Sequence, residues 1–173
     1  MLFAALTAVL AYVSIPLPGI AVPFSLQPFG VFFAGALLGP LWGGFAMLLY
    51  VVVGLAGAPV FSNGAAGIGY FLGPTGGFLV GFLLAAVCIG AIVHRGLEPR
   101  DVRDVSAVTL AVGLAVALVV IYGVGVPWLA WAQGISLGAA ASVMAPFVPP
   151  DLLKAALVVA AVAGGSEALT RAG

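Results

Sequence analysis

Charge is what this sequence has least of. Asp, Glu, Lys and Arg make up 6% of its 173 residues, while 64% are hydrophobic. A soluble domain carries about 25% charged and about 45–50% apolar residues. One core could not hide so much apolar surface, so the composition excludes a soluble domain and identifies an integral membrane protein. No polar stretch is long enough to fold by itself, and residues 1–173 read as one membrane domain. Five basic and five acidic residues cancel, which leaves no basic field for nucleic acid. A lone cysteine, Cys88, excludes an intramolecular disulfide. A lone histidine, His94, excludes a histidine-based metal or catalytic cluster. There is no Walker phosphate loop, so the chain is not itself an ATPase of that class, and no cofactor is expected.

Residues 1–93 hold no Asp, Glu, Lys or Arg, and glycine and proline punctuate them instead. The apolar runs predict an all-α bundle of six transmembrane helices, at about 1–15, 27–38, 41–55, 75–93, 105–123 and 150–163. The first run lacks the basic start of a signal peptide and reads as a membrane helix. Gly39-Pro40 predicts a tight turn between helices 2 and 3. The stretch "GAPVFSNGAAGIGYFLGPTGG" (Gly57–Gly77) is too rich in glycine and proline for a membrane helix and too apolar for a solvent loop. Residues 126–149 read as a short helix or part of a lid.

Six of the ten charges fall between His94 and Asp104. Arg95, Arg100 and Arg103 there, with Arg171 in the tail, place that loop and both termini in the cytoplasm. The opposite face then gathers the proline loop 16–26, the glycine-rich loop 57–74 and the start of helix 6. Helices 2 and 3 are short for a hydrocarbon core of ~30 Å at ~1.5 Å per residue. Irregular backbone at membrane depth is tolerated where it lines a cavity. The expectation is an outward-facing ligand cavity roofed by loops.

The start of helix 6, "PFVPPDLLKAAL", places Asp151 and Lys154 three residues apart on one helix face. One reading is an ordinary helix start with a lysine reaching for the interface. The other is a functional pair, the default for ionisable groups inside a membrane. The residues alone leave both open. Ser62, Asn63, Tyr70 and Gln27 are uncharged side chains that could reach a ligand at the same end. Glycines such as Gly67 allow close backbone approach, although small residues also serve helix packing. Ala4 and Ala8 form a small-xxx-small pair suited to close packing, within the chain or on a partner. Trp128 and Trp131 fit an interfacial aromatic belt.

Three segments in order, "IPLPGIAVPFSLQPFGVFFAGALLGPLWGG", "GLAGAPVFSNGAAGIGYFLGPTGG" and "PPDLLKA", resemble the BioY family. These are the biotin-binding S components of energy-coupling factor (ECF) transporters. The resemblance covers nearly the whole chain, and only the loop at 94–104 and the tail past Gly164 fall outside it. It implies an S-component bundle of six helices in the cell membrane that captures biotin from outside. It further implies ligand roles for Asp151, Lys154, Gln27 and residues of 62–77, and docking of helix 1 through Ala4 and Ala8 on a transmembrane coupling subunit. Two ATPase subunits would supply the energy. Biotin's chemistry suits an apolar cavity with a few polar groups: it has ureido N–H donors, a ureido oxygen, a thioether ring and a carboxylate. The alternatives are a stand-alone biotin porter, an S component for thiamine or riboflavin, an intramembrane enzyme, and a purely structural protein. No catalytic constellation is visible for the enzyme. The structural reading leaves the charged pair without a role.

Overall fold

The computed structural model describes residues 1–95 and 105–172, with side chains as far as residue 164. The elements in order are α1 (Leu2–Tyr12), β1 (Ser14–Ile15), β2 (Phe24–Ser25), α2 (Gln27–Leu55), α3 (Gly67–Leu72), α4 (Gly76–His94), α5 (Ala107–Gln133), α6 (Leu137–Met144) and α7 (Val148–Ala172). Single 3-10 turns occur at Ser62–Gly64 and Ala145–Phe147. Four described stretches are long and apolar enough to cross a membrane: α2, α4, α5 and the run Leu137–Gly164.

The helical stretch α2 doubles back on itself. Gly39 breaks it with φ 78° and ψ 179°, a conformation open to glycine alone, and Pro40 follows. A Cβ on Gly43 would stand 2.9 Å from the Ala34 carbonyl oxygen. Gln27 hydrogen-bonds Tyr50, 23 residues later. Residues that far apart on a straight helix would be separated by about 35 Å. The Gly39-Pro40 turn expected from the sequence is therefore present, between antiparallel arms 27–38 and 40–55.

The bundle is organised around α4, the most enclosed of the long helices, which packs between α2 and α5. The contact is backbone on backbone in places. A Cβ on Gly90 would lie 2.2 Å from the Pro40 nitrogen, so only glycine lets α4 approach the turn of α2. The side chain of His94 bonds the Ala36 carbonyl at 2.9 Å near the same end. His94 was expected in a loop. Instead it closes α4 and is buried, because the helix extends one residue further and turns the ring inward.

Other boundaries move as well. Helix 1 ends at Tyr12 rather than Ile15, because Pro16 biases Ile15 toward extended backbone. Ser14 and Ile15 then pair antiparallel with Ser25 and Phe24. This short ribbon is a departure from the all-helical expectation. Helix 5 continues past Gly123 and through Pro127 to Gln133. Away from water a membrane helix keeps its backbone bonds across a proline that would end a soluble one. The following segment forms α6, capped by Ser136, whose hydroxyl accepts from the Ala139 amide at 3.2 Å. The sixth membrane helix expected from the sequence is α7, which starts at Val148, slightly before the expected Pro150. Of the charges expected around the 94–104 loop, Glu98, Arg100, Asp101, Arg103 and Asp104 lie outside the described residues, as does the side chain of Arg171.

Ala4 and Ala8 lie on the face that α1 turns toward its own bundle. Ala4 is buried in the core together with Thr7 and Ala11, and Ala8 is half-buried. The Thr7 hydroxyl donates to the Phe3 carbonyl at 2.7 Å, and Gly30 of α2 presses against the Thr7 backbone. In this conformation Ala4 is 8% exposed and offers little surface for a second protein. Trp128 is likewise drawn inward, its indole N–H donating to the Gly73 carbonyl at 3.0 Å, while Trp131 is exposed.

Candidate ligand site

One cavity lies at the end of the bundle away from His94. Its walls come from the ribbon at 22–25, the starts of α2 and α4, Ser62 and Tyr70 between them, the middle of α5, the end of α6 and the first two turns of α7. The surface is largely aromatic and aliphatic, with Phe24, Phe78, Phe82 and Phe147 among the contributors. Its free interior is about 50 Å³. Small-molecule sites commonly offer about 300–1,000 Å³, so a ligand must push these walls apart.

The polar groups form two connected sets. Lys154 Nζ lies 2.6 Å from Asp151 Oδ1, and both side chains are buried. The other carboxylate oxygen, Oδ2, accepts from the Tyr122 hydroxyl at 2.7 Å. Lys154 also donates to the Ser25 carbonyl at 2.7 Å and sits 4.1 Å from the centroid of the Phe24 ring. Charges this deep are stable only when paired and hydrogen-bonded, and both oxygens of the acid are engaged. The second set centres on Gln27. Its Oε1 accepts from the hydroxyls of Ser25 at 2.8 Å and Ser62 at 2.6 Å. Its Nε2 donates to the Tyr50 hydroxyl, which donates to the Val60 carbonyl at 3.0 Å.

Of the residues singled out in the sequence, Asp151, Lys154, Gln27, Ser62 and Tyr70 meet around this cavity. Asn63 and Gly67 do not line it. Asn63 is exposed in a left-handed turn at φ 59°, and its side-chain oxygen accepts from Ser14 Oγ at 2.7 Å. Gly67, at φ 82°, serves as the turn into α3. Both belong to the backbone geometry of the segment over the cavity rather than to its wall.

Sequence reasoning missed Tyr122, Ser25 and Phe24. Tyr122 sits beside Gly123, the expected end of helix 5, and nothing in its immediate neighbours marks it as part of a site. Its one available signal was a buried-position tyrosine, which needs a partner for its hydroxyl. The Ser25 contribution to Lys154 is a backbone carbonyl and has no signal in residue type.

These features define a polytopic helical membrane protein with an apolar pocket for a small molecule and a buried acid–lysine pair in its wall. The BioY family pattern matches residues 1–171. The chain belongs to the BioY family. It is 43% identical over 166 residues to the biotin transporter BioY of Rhodobacter capsulatus, covering 88% of this chain and 83% of that one. It is 40% identical to the biotin transporter BioY of Thermotoga maritima, over 93% of this chain and 88% of the relative. Among solved structures it resembles the S-component for biotin from an ECF-type ABC transporter. The TM-score is 0.86 at 28% identity, covering 96% of this chain and 87% of the other.

Proposed function

We propose that this protein captures biotin and serves as the substrate-specific S component of an ECF-type transporter in the cell membrane. It is a transport protein and not an enzyme. The observation that carries the reading is the buried Asp151–Lys154 pair in the wall of an apolar cavity, within a fold that superposes on a biotin S-component. The carboxylate can accept from ureido N–H groups, and the ammonium can meet a ligand oxygen.

The finer reading follows from the same features. Counting α1, the two arms of α2, α4, α5 and the α6–α7 run gives six membrane segments. The positive-inside rule then turns both termini to the cytoplasm and the cavity outward. Asn63 would reach a ligand only on release from Ser14, and Gly67 would act as a hinge of the same segment. A transmembrane coupling subunit and two ATPase subunits would complete the transporter. Docking through Ala4 and Ala8 would require α1 to shift from α2, because both face the bundle.

Titration of the detergent-purified protein with biotin, thiamine and riboflavin tests the ligand. Tight binding of biotin alone is expected. A folded protein that binds none, or prefers another vitamin, overturns the assignment. Co-purification from the native host tests the partners, and recovery of a coupling subunit with ATPases is expected. Biotin uptake that persists without the ATPases would favour a stand-alone porter.

A further inference from the structure

Tyr50 does not line the cavity, yet its hydroxyl fixes how one corner of the cavity is polarised. The side chain is 2% exposed and sits on the second arm of α2. A phenol has one proton to donate. Tyr50 gives it to the Val60 carbonyl. Toward Gln27 it can then only accept, so the amide turns Nε2 to Tyr50. That leaves Oε1 facing Ser25 and Ser62, whose hydroxyls both donate to it. Each serine has thereby directed its only proton away from the cavity that it lines. Lone pairs remain on both oxygens. The opposite amide orientation would claim the Tyr50 proton for Oε1 and leave the Val60 carbonyl without its donor. A buried mismatch of that kind is rare in folded proteins.

We propose that Tyr50 is a positioning residue for ligand specificity. Acting through Gln27, it makes Ser25 and Ser62 acceptors for an N–H group of the ligand. The inference rests on the biotin reading above, because the ureido ring supplies such N–H groups. It assigns a role to a side chain that never touches the ligand.

The test is a set of titrations with biotin and with two analogues, each methylated on one ureido nitrogen. Wild type, Tyr50→Phe, Gln27→Met and the double variant are compared. Tyr50→Phe keeps the ring, which packs edge-on against Phe61, and removes only the hydroxyl. It should weaken biotin about tenfold, the scale of one unmet buried hydrogen bond. It should also narrow the preference for biotin over the analogue that lacks the N–H facing the serines. In the Gln27→Met background it should cost nothing further, since the amide it orients is gone. A Tyr50 that merely anchors Val60 would weaken all three ligands alike and add fully to Gln27→Met, which overturns the proposal. Unchanged binding by Tyr50→Phe also overturns it and leaves the biotin reading standing. Wild type that binds no biotin overturns both. Should Tyr50→Phe not fold, Ser62→Ala removes an acceptor oxygen directly. The same loss of discrimination supports the proposal, and unaltered discrimination sinks it.

Discussion

Lys154 Nζ lies 2.7 Å from the backbone carbonyl of Ser25, 129 residues earlier in the chain. One ammonium thus holds three things together: the acid on its own helix, the ribbon that forms a cavity wall, and the ring of Phe24. An ammonium has three N–H donors, so one remains for a ligand oxygen, and a ligand held there would be joined to the ribbon as well as to α7.

Lys154→Ala is expected to abolish measurable biotin binding and to destabilise the fold. Removing one partner of a buried ion pair costs about 3–5 kcal/mol, because the remaining charge is stranded. Replacing both, Asp151→Leu with Lys154→Met, should recover much of that stability and none of the binding. Thermal unfolding in detergent and calorimetric titration read the two effects separately. If the double variant still bound biotin, the pair would be only structural.

Tyr122→Phe removes one hydrogen bond to Asp151 and keeps the edge-on packing against Phe78. A bond to a charged group contributes about 1.5–3 kcal/mol. Biotin affinity should fall at least about tenfold if an ordered carboxylate is what the ligand needs. Equal affinity in the variant would show that Lys154 alone orients Asp151.

Gly54 leaves room for the ring of Phe61, the residue just before Ser62. An added Cβ would lie 2.2–2.7 Å from ring carbons. Gly54→Ala should displace Phe61 and draw Ser62 away from Gln27. Overpacking of this kind costs about 1–3 kcal/mol. The expected signature is weaker biotin binding, with the far end of the bundle unaffected in hydrogen exchange.

Ser14 ties α1's exit to the turn at Asn63, accepting from the Asn63 amide at 3.1 Å and donating to its side chain. Tyr12 adds a bond to the Pro59 carbonyl at 2.5 Å. Loss of an exposed hydrogen bond is worth about 0.5–1.5 kcal/mol. Ser14→Ala should therefore speed biotin dissociation about threefold in stopped-flow measurements. An unchanged off-rate would show that this tie does not limit ligand release.

Gly90→Ala should be strongly destabilising, because its nearest neighbours are backbone atoms of Gly39 and Pro40 that cannot yield. Gly138→Ala, in open space on α6, should instead stabilise by about 0.5–1 kcal/mol through helix propensity. Paired melting curves check both signs.

Much of this architecture was legible because membrane sequences are punctuated plainly. Gly39-Pro40 marked a reversal that the structure keeps, and Asp151 and Lys154 stood out against a charge-free background. Three features were hidden for physical reasons. Helix 5 was expected to end at Gly123, yet a helix shielded from water runs on through it and through Pro127. Asn63 stands in the glycine-rich loop as a polar side chain within reach of a ligand, yet its αL turn ties it to Ser14, a pairing across 49 residues that no local pattern reveals. Tyr50 and Tyr122 act through hydrogen-bond direction, which residue type alone does not encode.

The acid–lysine pair also has an electrical consequence. Moving one net charge through a membrane potential of 100 mV takes about 2.3 kcal/mol. Asp151 and Lys154 stand together as a dipole of zero net charge, and residues 1–93 add no charged side chain. However the bundle tilts or turns, its membrane-embedded side chains carry almost no gating charge. Voltage neither drives nor resists such a motion of the empty bundle, and a bound ligand with a carboxylate would bring the one charge on which it acts.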